Sequence, residues 1–482
     1  MRKLRIMILS AALASIFALT ACGDDATPAA TAPAGDTAAV AETPADTDND
    51  TPAEPAGPPA RDLGGLEITI ATWWTDEDST TADPQTALER MRWDDRIMLE
   101  ELHNFRVRTV NMGGWTETRD MMPFEIAAGN TDIQIWVMEP TWFSTMHGQN
   151  LFAPIPLEHF HPDINWNQSV MDFTMRDGLP HAFAMGTEFA GGIYFNMRLF
   201  EEAGFPPDYP FQLQAEGRWN WETFTEIARS LSRDLDNDGI NDTWAMSSFN
   251  QDFLDRALAS NGAAFVSVDP ATGAFINTTN TPQFLETINW VVQLREEMLA
   301  MHEDDIGGEW NFFIDAFNSG LSAMRSAGHY VASGQILPNL DDPWGFVAFP
   351  AGPSGGNHYS WVTSNFNAIP HFYTAQEVDD FMFAMYLWNR PLPGTDDDDW
   401  MFGEYARHAD PRSVDETMVN FTRDPALQVM PAHQMVPGGI DVGPNWAWRV
   451  WAGNDPATIV EEAMQILNER LAQVNTQLGL TD

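Results

Sequence analysis

Apolar residues recur at two different spacings along the chain. At 66–70 and again at 133–137 they occupy every second position, which is the period of a strand with one buried face. A segment at 106–110 predicts a third strand, and helix-length sequence separates the three. Strands that alternate with helices in this way predict an α/β fold.

Other segments carry apolar residues at helical spacing. A helix that includes Trp221 and Leu231 is expected to begin after Asn220, because an asparagine side chain can accept hydrogen bonds from the free N–H groups of a first turn. Thr281 and Pro282 are typical first residues of a second helix. A last helix is predicted from about residue 457 to about residue 478.

The N-terminal segment is typical of an export signal. Basic residues at 2–5 precede an apolar run from Ile6 to Leu19, which is too short to span a bilayer. Residues 19–22, Leu-Thr-Ala-Cys, resemble the lipobox of bacterial lipoproteins. This resemblance predicts a lipoprotein signal peptide at 1–21 and a lipid anchor on Cys22. The alternative is an ordinary signal peptide with an incidental cysteine.

Residues 22–62 have a different composition from the rest of the chain. They are rich in Ala, Thr, Pro and Asp and contain almost no large apolar residues. Such a segment has too little apolar surface to stabilise a fold, so we expect a disordered linker that separates a lipid anchor from a globular body.

Composition excludes several classes of function. The chain of 482 residues has 24 basic and 70 acidic residues and a formal net charge of −46, so nucleic acid is not an expected partner. Lys3 is the only lysine and Cys22 the only cysteine. The globular body therefore cannot form a Walker A loop, a Schiff-base site, a thiol catalytic site or a cysteine zinc site.

A loop at 234–242 has the spacing of an EF-hand loop, with Gly239 at its sixth position for the tight turn. Ala245 stands at position 12, where an EF-hand has a bidentate glutamate. The loop therefore predicts a structural calcium site rather than a calcium sensor, and a solvated acidic loop is the alternative. The expected ligands are Asp234, Asp236, Asp238, the backbone carbonyl of Ile240, and Asp242.

Six segments of the body resemble, in order, the motifs of one protein family. They are the strand at 66–74, Ala-Ala-Gly-Asn-Thr-Asp-Ile at 127–133, the segment 192–204 around Tyr-Phe-Asn, Trp-Asn-Trp-Glu-Thr-Phe at 219–224, Ala-Phe-Asn-Ser-Gly-Leu-Ser-Ala-Met at 316–324, and Phe-Pro-Ala-Gly-Pro-Ser-Gly at 349–355. The chain thus resembles the bacterial extracellular solute-binding proteins of ABC importers, and among them the maltodextrin-binding proteins.

This resemblance implies a two-lobed fold, like that of periplasmic binding proteins, with a ligand cleft between the lobes. We expect lobe 1 to comprise residues 63–190 and 344–392, and lobe 2 to comprise residues 191–343 and 393–482. The resemblance also implies a monomeric, non-catalytic receptor, lipid-anchored outside the cytoplasm. Such a receptor closes on its ligand and delivers it to the permease subunits of an ABC importer.

Carbohydrate is the expected ligand class, because the chain has 19 tryptophans and sugar rings stack on aromatic side chains. Position at a strand end favours Trp73 and Trp74, and the resemblance implies Trp136, Glu139 and Tyr330 as ligand-binding residues. Further candidates near the expected lobe edges are the aromatic residues Trp310, Trp344 and Trp361 and the hydrogen-bonding residues Glu188 and Asn365. For each, the alternative is an ordinary core or loop residue.

Two other functions remain open at this point. A glycoside-active enzyme needs a pair of carboxylates, and 70 acidic residues offer many pairs. Residues 352–356 also match the Gly-x-Ser-x-Gly string of a nucleophile elbow, although Pro353 and the glycines indicate a turn. The second alternative is a surface protein that captures glycans without an importer.

Overall fold

The computed structural model describes residues 61–84, 86–186, 191–306, 311–361, 365–395, 400–424, 427–429, 431–440 and 446–480. The strands are β1 Leu66–Thr72, β2 Glu77–Asp78, β3 Phe105–Asn111, β4 Ile135–Met138, β5 Met175–Arg176, β6 Leu179–Pro180, β7 Gly192–Asn196, β8 Trp244–Ser248, β9 Val266–Val268, β10 Phe275–Asn277, β11 Ser322–Ala327, β12 Trp344–Val347, β13 Ser360–Trp361, β14 Phe366–Ala368 and β15 Gln428–Val429.

The α-helices alternate with these strands over most of the chain. They are α1 Ala87–His103, α2 Trp115–Ala127, α3 Pro140–His147, α4 Gln168–Phe173, α5 Met197–Glu202, α6 Tyr209–Ala215, α7 Trp221–Leu231, α8 Asn250–Ser260, α9 Pro282–Glu296, α10 Glu303–Ile306, α11 Phe312–Asn318, α12 Ala375–Asn389, α13 Trp400–Arg407, α14 Val419–Arg423, α15 Trp446–Trp451 and α16 Pro456–Gln477. Within the described ranges, no helix combines the length and the hydropathy needed to cross a bilayer.

The first sheet has the strand order β14-β4-β1-β3-β2. β1 pairs in parallel with β3 and β4, whereas β14 and β2 are antiparallel edge strands. The three strands predicted from periodicity are confirmed as β1, β3 and β4, although β4 begins only at Ile135. Both faces of this sheet are covered by helices, which is the usual environment of parallel strands.

Two hydrophobic clusters cover the faces of the first sheet. On one face, Ile68 and Ile135 pack in a cluster with Leu99 of α1 and Phe381 of α12. On the other, Trp136 packs in a cluster with residues of α2 and α3. The result is a helix–sheet–helix layering with its own core, as expected for an α/β lobe.

The second sheet has the strand order β12-β7-β11-β8. β8 and β11 are parallel, and β7 runs antiparallel to both β11 and β12. The largest cluster of buried residues packs this sheet against α7, α8, α9, α15 and α16. A second cluster covers the opposite face with residues from the π-helical turns at Ala332–Ile336 and Ser413–Met418.

Helix starts in the second lobe follow the predicted capping residues. The side chain of Asn220 accepts a hydrogen bond from the Thr223 N–H at 3.0 Å, and the Thr281 hydroxyl accepts from the Phe284 N–H at 3.4 Å. These contacts satisfy N–H groups that a helix leaves free at its first turn. Along α7 the apolar face is buried, and burial of each large apolar side chain stabilises the fold by about 1.5–3 kcal/mol.

The chain passes between the sheets at points that differ in part from the expected lobe boundaries. The first crossing lies between Met185, which still pairs in lobe 1, and β7 of the second sheet. The last crossing lies between α12, which packs on the first sheet, and α13, which packs beside the second. The expected boundary at 344 is wrong, because Trp344–Val347 forms β12 and pairs with β7 inside the second sheet. The return to the first sheet is complete only at β14.

Close backbone packing in the second sheet predicts a specific sensitivity at Gly192. A Cβ atom at this position would lie 2.1 Å from the carbonyl oxygen of Val347, whereas one at Gly403 in α13 would meet no atom within 4 Å. We expect Gly192→Ala to lower the free energy of unfolding by about 1–3 kcal/mol or more. Gly403→Ala should leave it unchanged or raise it by up to about 1 kcal/mol.

Thermal unfolding of both variants beside the unchanged protein, followed by tryptophan fluorescence, measures this difference. Equal unfolding midpoints for the two variants would show that the approach of β7 to β12 does not limit the size of residue 192.

Candidate functional site

Topology brings several candidate residues to one edge of the first sheet. Trp73 and Trp74 follow the carboxyl end of β1, and Glu139 follows the carboxyl end of β4. Asn365 directly precedes β14, and because β14 runs antiparallel to β4, with Phe366 opposite Met138, it starts at the same edge. Ligands of α/β sheets bind beyond such strand ends.

A group of four tryptophans, called here the tryptophan cluster, lies at this edge: Trp73, Trp74, Trp115 and Trp142. The ring centroids are 4.7 Å apart for Trp73 and Trp74, 5.0 Å for Trp73 and Trp142, and 5.1 Å for Trp115 and Trp142. Trp142 is buried, whereas Trp74 is 50% exposed. Packed inner rings therefore hold outer rings whose apolar faces remain accessible.

Glu139 is the polar group next to the tryptophan cluster. Its Oε1 atom accepts a hydrogen bond from Nε1 of Trp115 at 2.9 Å, and the residue occupies the N-cap position of α3. Desolvation raises the pKa of the Glu139 carboxyl, and the hydrogen bond from Trp115 opposes that shift. A carboxyl group in a mostly apolar wall is suited to bind the hydroxyl groups of a ligand.

The second lobe presents Tyr330 toward the same space. Tyr330 follows β11 by three residues, and its side chain is 69% exposed. Desolvation by surrounding protein raises the pKa of its hydroxyl, with further increases from the carboxylates of Asp252 and Glu139. Because Coulomb interactions fall with distance, the contribution of Glu139 indicates that the Tyr330 hydroxyl of lobe 2 lies within electrostatic range of the Glu139 carboxyl of lobe 1.

The lobes also touch directly beside this space. The hydroxyl of Ser144 in α3 lies 3.4 Å from the carbonyl oxygen of Gln434, and the Gly438 N–H donates to the Thr145 hydroxyl at 2.9 Å. Ser144 and Thr145 belong to the helix that follows Glu139, while the segment around Val436 packs into the core of lobe 2. These contacts bound one side of an interlobe cleft.

Two of the predicted ligand-binding residues are core residues in the structure. Trp136 is 1% exposed within the cluster that covers the first sheet, and Trp344 is 2% exposed within the cluster beside Tyr194. Both lie inside strands that are buried at every position, β4 and β12. A ring without an accessible face cannot stack on a sugar, so both predictions are corrected to packing roles.

The remaining candidates have different placements. Trp361 contributes its backbone to β13, which pairs with β15. Glu188, Trp310 and Cys22 lie outside the described residues. Their predicted roles therefore stay predictions.

The structure adds two residues to the first-lobe site, Trp115 and Trp142. Trp115 begins the helix that follows β3, and Trp142 lies in the first turn of the helix that follows β4. The strand-end argument that favoured Trp74 applies to both, so their sequence position carried a usable signal.

The Gly-x-Ser-x-Gly string at 352–356 forms a turn in the structure. The Ser354 hydroxyl donates to Oε2 of Glu286 at 2.7 Å, and a Cβ at Gly355 would lie 2.0 Å from the Ser260 carbonyl oxygen. No helix follows within the described residues 357–361. The string therefore lacks the strand–turn–helix context of a nucleophile elbow.

The acidic loop at 234–242 gathers three carboxylates. One oxygen each from Asp234, Asp236 and Asp242 lies within 4.8 Å of the others. The Asp238 carboxylate accepts instead from the Ile240 N–H at 2.8 Å. The loop precedes β8, whereas the cleft lies beyond the opposite, carboxyl end of that strand, so these carboxylates are remote from a ligand between the lobes.

Comparison with protein families gives one match. The model of the family described as bacterial extracellular solute-binding protein matches residues 79–384. A search of curated proteins gives no match.

Solved structures with two lobes resemble the chain in fold at low sequence identity. The ABC substrate-binding protein Lmo0181 from Listeria monocytogenes, in complex with cycloalternan, is 15% identical, with 86% of this chain and 100% of that chain covered and a TM-score of 0.58. The cyclic alpha-maltosyl-1,6-maltose binding protein from Arthrobacter globiformis is 15% identical, with 85% and 100% covered and a TM-score of 0.57. UgpB from Mycobacterium tuberculosis, in complex with glycerophosphocholine, is 14% identical, with 85% and 99% covered and a TM-score of 0.60.

The raised pKa of Glu139 predicts how stability depends on pH. A carboxyl whose pKa is higher in the folded than in the unfolded state favours folding at low pH, and that contribution is lost as the pH rises through the folded-state pKa. A glutamine side chain at this position would keep the acceptor for Trp115 without ionising. Relative to the unchanged protein, Glu139→Gln should therefore gain in unfolding midpoint as the pH rises from about 4 to about 8.

Thermal unfolding across this pH range tests the prediction. Glu117→Gln, at an exposed position on neighbouring α2, is the matched control. If the two variants show the same pH profile, or if the gain of Glu139→Gln shrinks as the pH rises, desolvation of Glu139 is not the cause.

Proposed function

We propose, because the chain belongs to the family of bacterial extracellular solute-binding proteins, that it is the substrate-binding component of an ABC importer and captures a carbohydrate between its lobes. The observation that carries the proposal is the tryptophan cluster with Glu139 at the strand ends of lobe 1, within electrostatic range of the exposed Tyr330 of lobe 2. The occupant we favour is an oligosaccharide.

The chemistry of the two walls supports a sugar. Aromatic faces stack on the C–H faces of sugar rings, and a carboxyl group can accept hydrogen bonds from their hydroxyls. Trp74 and Tyr330 supply accessible rings, and Glu139 and Asn365 supply polar groups at the same strand ends. The ligands of Lmo0181 and of the Arthrobacter protein, cycloalternan and cyclic alpha-maltosyl-1,6-maltose, support a carbohydrate further.

Transport would follow from closure of the lobes. A ligand that touches both walls favours the closed arrangement, because it gains contacts there that an open cleft does not offer. The closed receptor would then dock on membrane permease subunits, with energy supplied by separate ATPases. We also propose that Cys22 carries the lipid that holds the receptor at the outer surface of the cytoplasmic membrane, as a monomer on a 22–62 linker.

Binding rather than catalysis is the activity that we infer. The family and the structural neighbours are binding proteins. The enzyme alternative requires that a bound oligosaccharide be cleaved, so chromatography of a saccharide after prolonged incubation with the protein separates the two. Reducing ends that accumulate in proportion to protein concentration would establish a glycoside-active enzyme.

A structural calcium ion at the acidic loop is a further part of the proposal. Carboxylate oxygens are the ligands that calcium prefers, and Asp234, Asp236 and Asp242 bring three of them together. The ion would stabilise the connection between α7 and β8 rather than touch the sugar.

Loss of either exposed ring should weaken sugar binding. We expect Trp74→Ala and Tyr330→Ala each to raise the dissociation constant about tenfold, since a stacked aromatic contact contributes about 0.5–1.5 kcal/mol beyond the buried area. Isothermal titration of the full chain against a series of neutral malto- and isomalto-oligosaccharides measures the change.

Phe402→Ala is the matched control, because Phe402 is an exposed aromatic residue on α13 of lobe 2. If none of these oligosaccharides binds the unchanged protein, a neutral oligosaccharide is the wrong ligand. If Phe402→Ala weakens binding as much as the two cleft variants do, the cleft is the wrong site.

Calcium should raise the thermal stability of the protein through the acidic loop. Adding CaCl₂ to chelator-treated protein should raise the unfolding midpoint with increasing concentration, because the ion binds the folded state alone. Asp236→Asn should abolish most of that rise. Asp269→Asn, which changes another aspartate in an exposed turn of the same lobe, should leave it intact. A rise of equal size in both variants would place the calcium elsewhere.

A further inference from the structure

Arg325 is a buried cation that lacks a full set of hydrogen bonds. It lies on β11, is 2% exposed, and donates from Nη2 to Oε1 of Gln335 at 2.6 Å. Its Nε and Nη1 atoms are buried and have no hydrogen-bond partner among the described residues. The ring of Phe313, 5.2 Å from the guanidinium carbon, covers it on one side.

The guanidinium lies toward the cleft end of the second sheet. Arg325 and Tyr194 are opposite each other in the pairing of β11 with β7. The Tyr194 hydroxyl donates to the carbonyl oxygens of Gly328 and His329, directly beyond the end of β11. The charge of Arg325 lowers the pKa of both Tyr194 and Tyr330 against the larger effect of burial, which indicates that it lies near both hydroxyls.

The neighbouring acidic group is already neutralised by another arginine. Both oxygens of Asp252 accept hydrogen bonds from Arg256, at 2.6 and 3.0 Å, and the Ser326 hydroxyl is 3.4 Å from one of them. Arg256 is 4% exposed, so this pair is itself mostly buried. Asp252 therefore pairs with Arg256, and within the described residues Arg325 has no ion-pair partner.

Burial of the Arg325 guanidinium costs free energy unless a further acceptor binds its two unpartnered N–H groups. A buried charged donor without an acceptor loses its hydration and gains nothing in return. In a chain with a net charge of −46, carboxylates are abundant, yet none of those described accepts from Arg325. The observations are explained if the missing acceptor arrives with the ligand.

We propose that the lobe 2 wall of the cleft binds an anionic oxygen group of the sugar ligand through Arg325, beside Tyr330. This inference rests on the proposed function and narrows its substrate class to sugars that carry a carboxylate, as in sugar acids, or a phosphate. A guanidinium presents paired N–H groups that match either anion in a bidentate geometry.

The net charge of the protein predicts how the association rate of an anionic ligand depends on salt, and this can be measured independently of affinity. The strongly acidic protein repels an anionic sugar at long range, while Arg325 attracts it only within the cleft. Added salt screens the long-range repulsion. The association rate of an anionic ligand should therefore increase with ionic strength, whereas that of a neutral sugar of the same size should not change.

Comparison of the affinities of the full chain for saccharides of similar size but different charge tests the inference. The probes are maltotriose, trigalacturonic acid and maltose 1-phosphate, titrated at pH 7 by calorimetry. We expect one of the two anionic probes to bind at least about tenfold tighter than maltotriose. Which of the two binds tighter distinguishes a sugar acid from a sugar phosphate.

Substitution of the arginine then tests its role. Arg325→Met should remove the preference for the anionic probe, so that the ratio of its affinity to that of maltotriose falls from at least about tenfold to about one. Arg229→Met makes the same change of net charge at an exposed position, where Arg229 pairs with Glu297, and it should keep the preference. If Arg325→Met does not fold, the ranking of the three probes and the salt dependence of their association still decide.

The outcomes separate this inference from the proposed function. Binding of maltotriose alone, or equal binding of all three probes, would overturn the anionic preference and leave a sugar receptor. A preference that survives in folded Arg325→Met would overturn the role of Arg325. Binding of no probe, together with none from the oligosaccharide series, would overturn both.

Discussion

Parallel pairing of β1 with β3 and β4 brings three strand ends to one edge of the first sheet, and the candidate contacts of that lobe depend on it. Residues inside these strands serve the core, because helices cover both faces. Residues immediately beyond the ends leave the sheet at one place, although they are distant in sequence. Trp115, Trp142 and Glu139 meet there for this reason. In the second sheet, the parallel ends of β8 and β11 place Asp252 and Tyr330 in the same way.

Whether the role of a residue can be predicted from sequence also depends on whether it lies inside a strand or beyond its end. Local periodicity identifies β1, β3 and β4, and capping chemistry identifies the start of α7, because both depend on residues close in sequence. Trp136 shows where this reasoning fails. Its position in the family pattern is near a strand end, but it lies inside β4, where burial decides its role. The prediction that Trp344 binds ligand is wrong for the same reason, because Trp344 lies inside β12. The predicted lobe boundary at 344 is wrong with it.

Tertiary electrostatics could not be predicted from local pattern. The surroundings of Arg325 are supplied by Phe313, Gln335 and Tyr194, which are brought together by an antiparallel pairing and a π-helical turn. Nothing in the spacing of these residues along the chain indicates that Arg325 would lack an ion-pair partner among the described residues. The acidic loop is the opposite case. Its carboxylates lie within nine positions of each other, so spacing alone predicts that they gather, and three of the four predicted carboxylates do so in the structure.

In the second lobe, the residues at the amino end of β8 bear on stability, and those at its carboxyl end bear on the proposed ligand binding. At the amino end, the acidic loop joins β8 to α7 and draws carboxylates together, so a cation there would act on the integrity of the lobe. At the carboxyl end, α8 begins, and its residues Asp252 and Arg256 form an ion pair near Tyr330. A change at one end reaches the other only through the strand and the core around it. Ligand affinity can therefore vary through the cleft residues while the acidic loop and the core preserve the lobe that presents them.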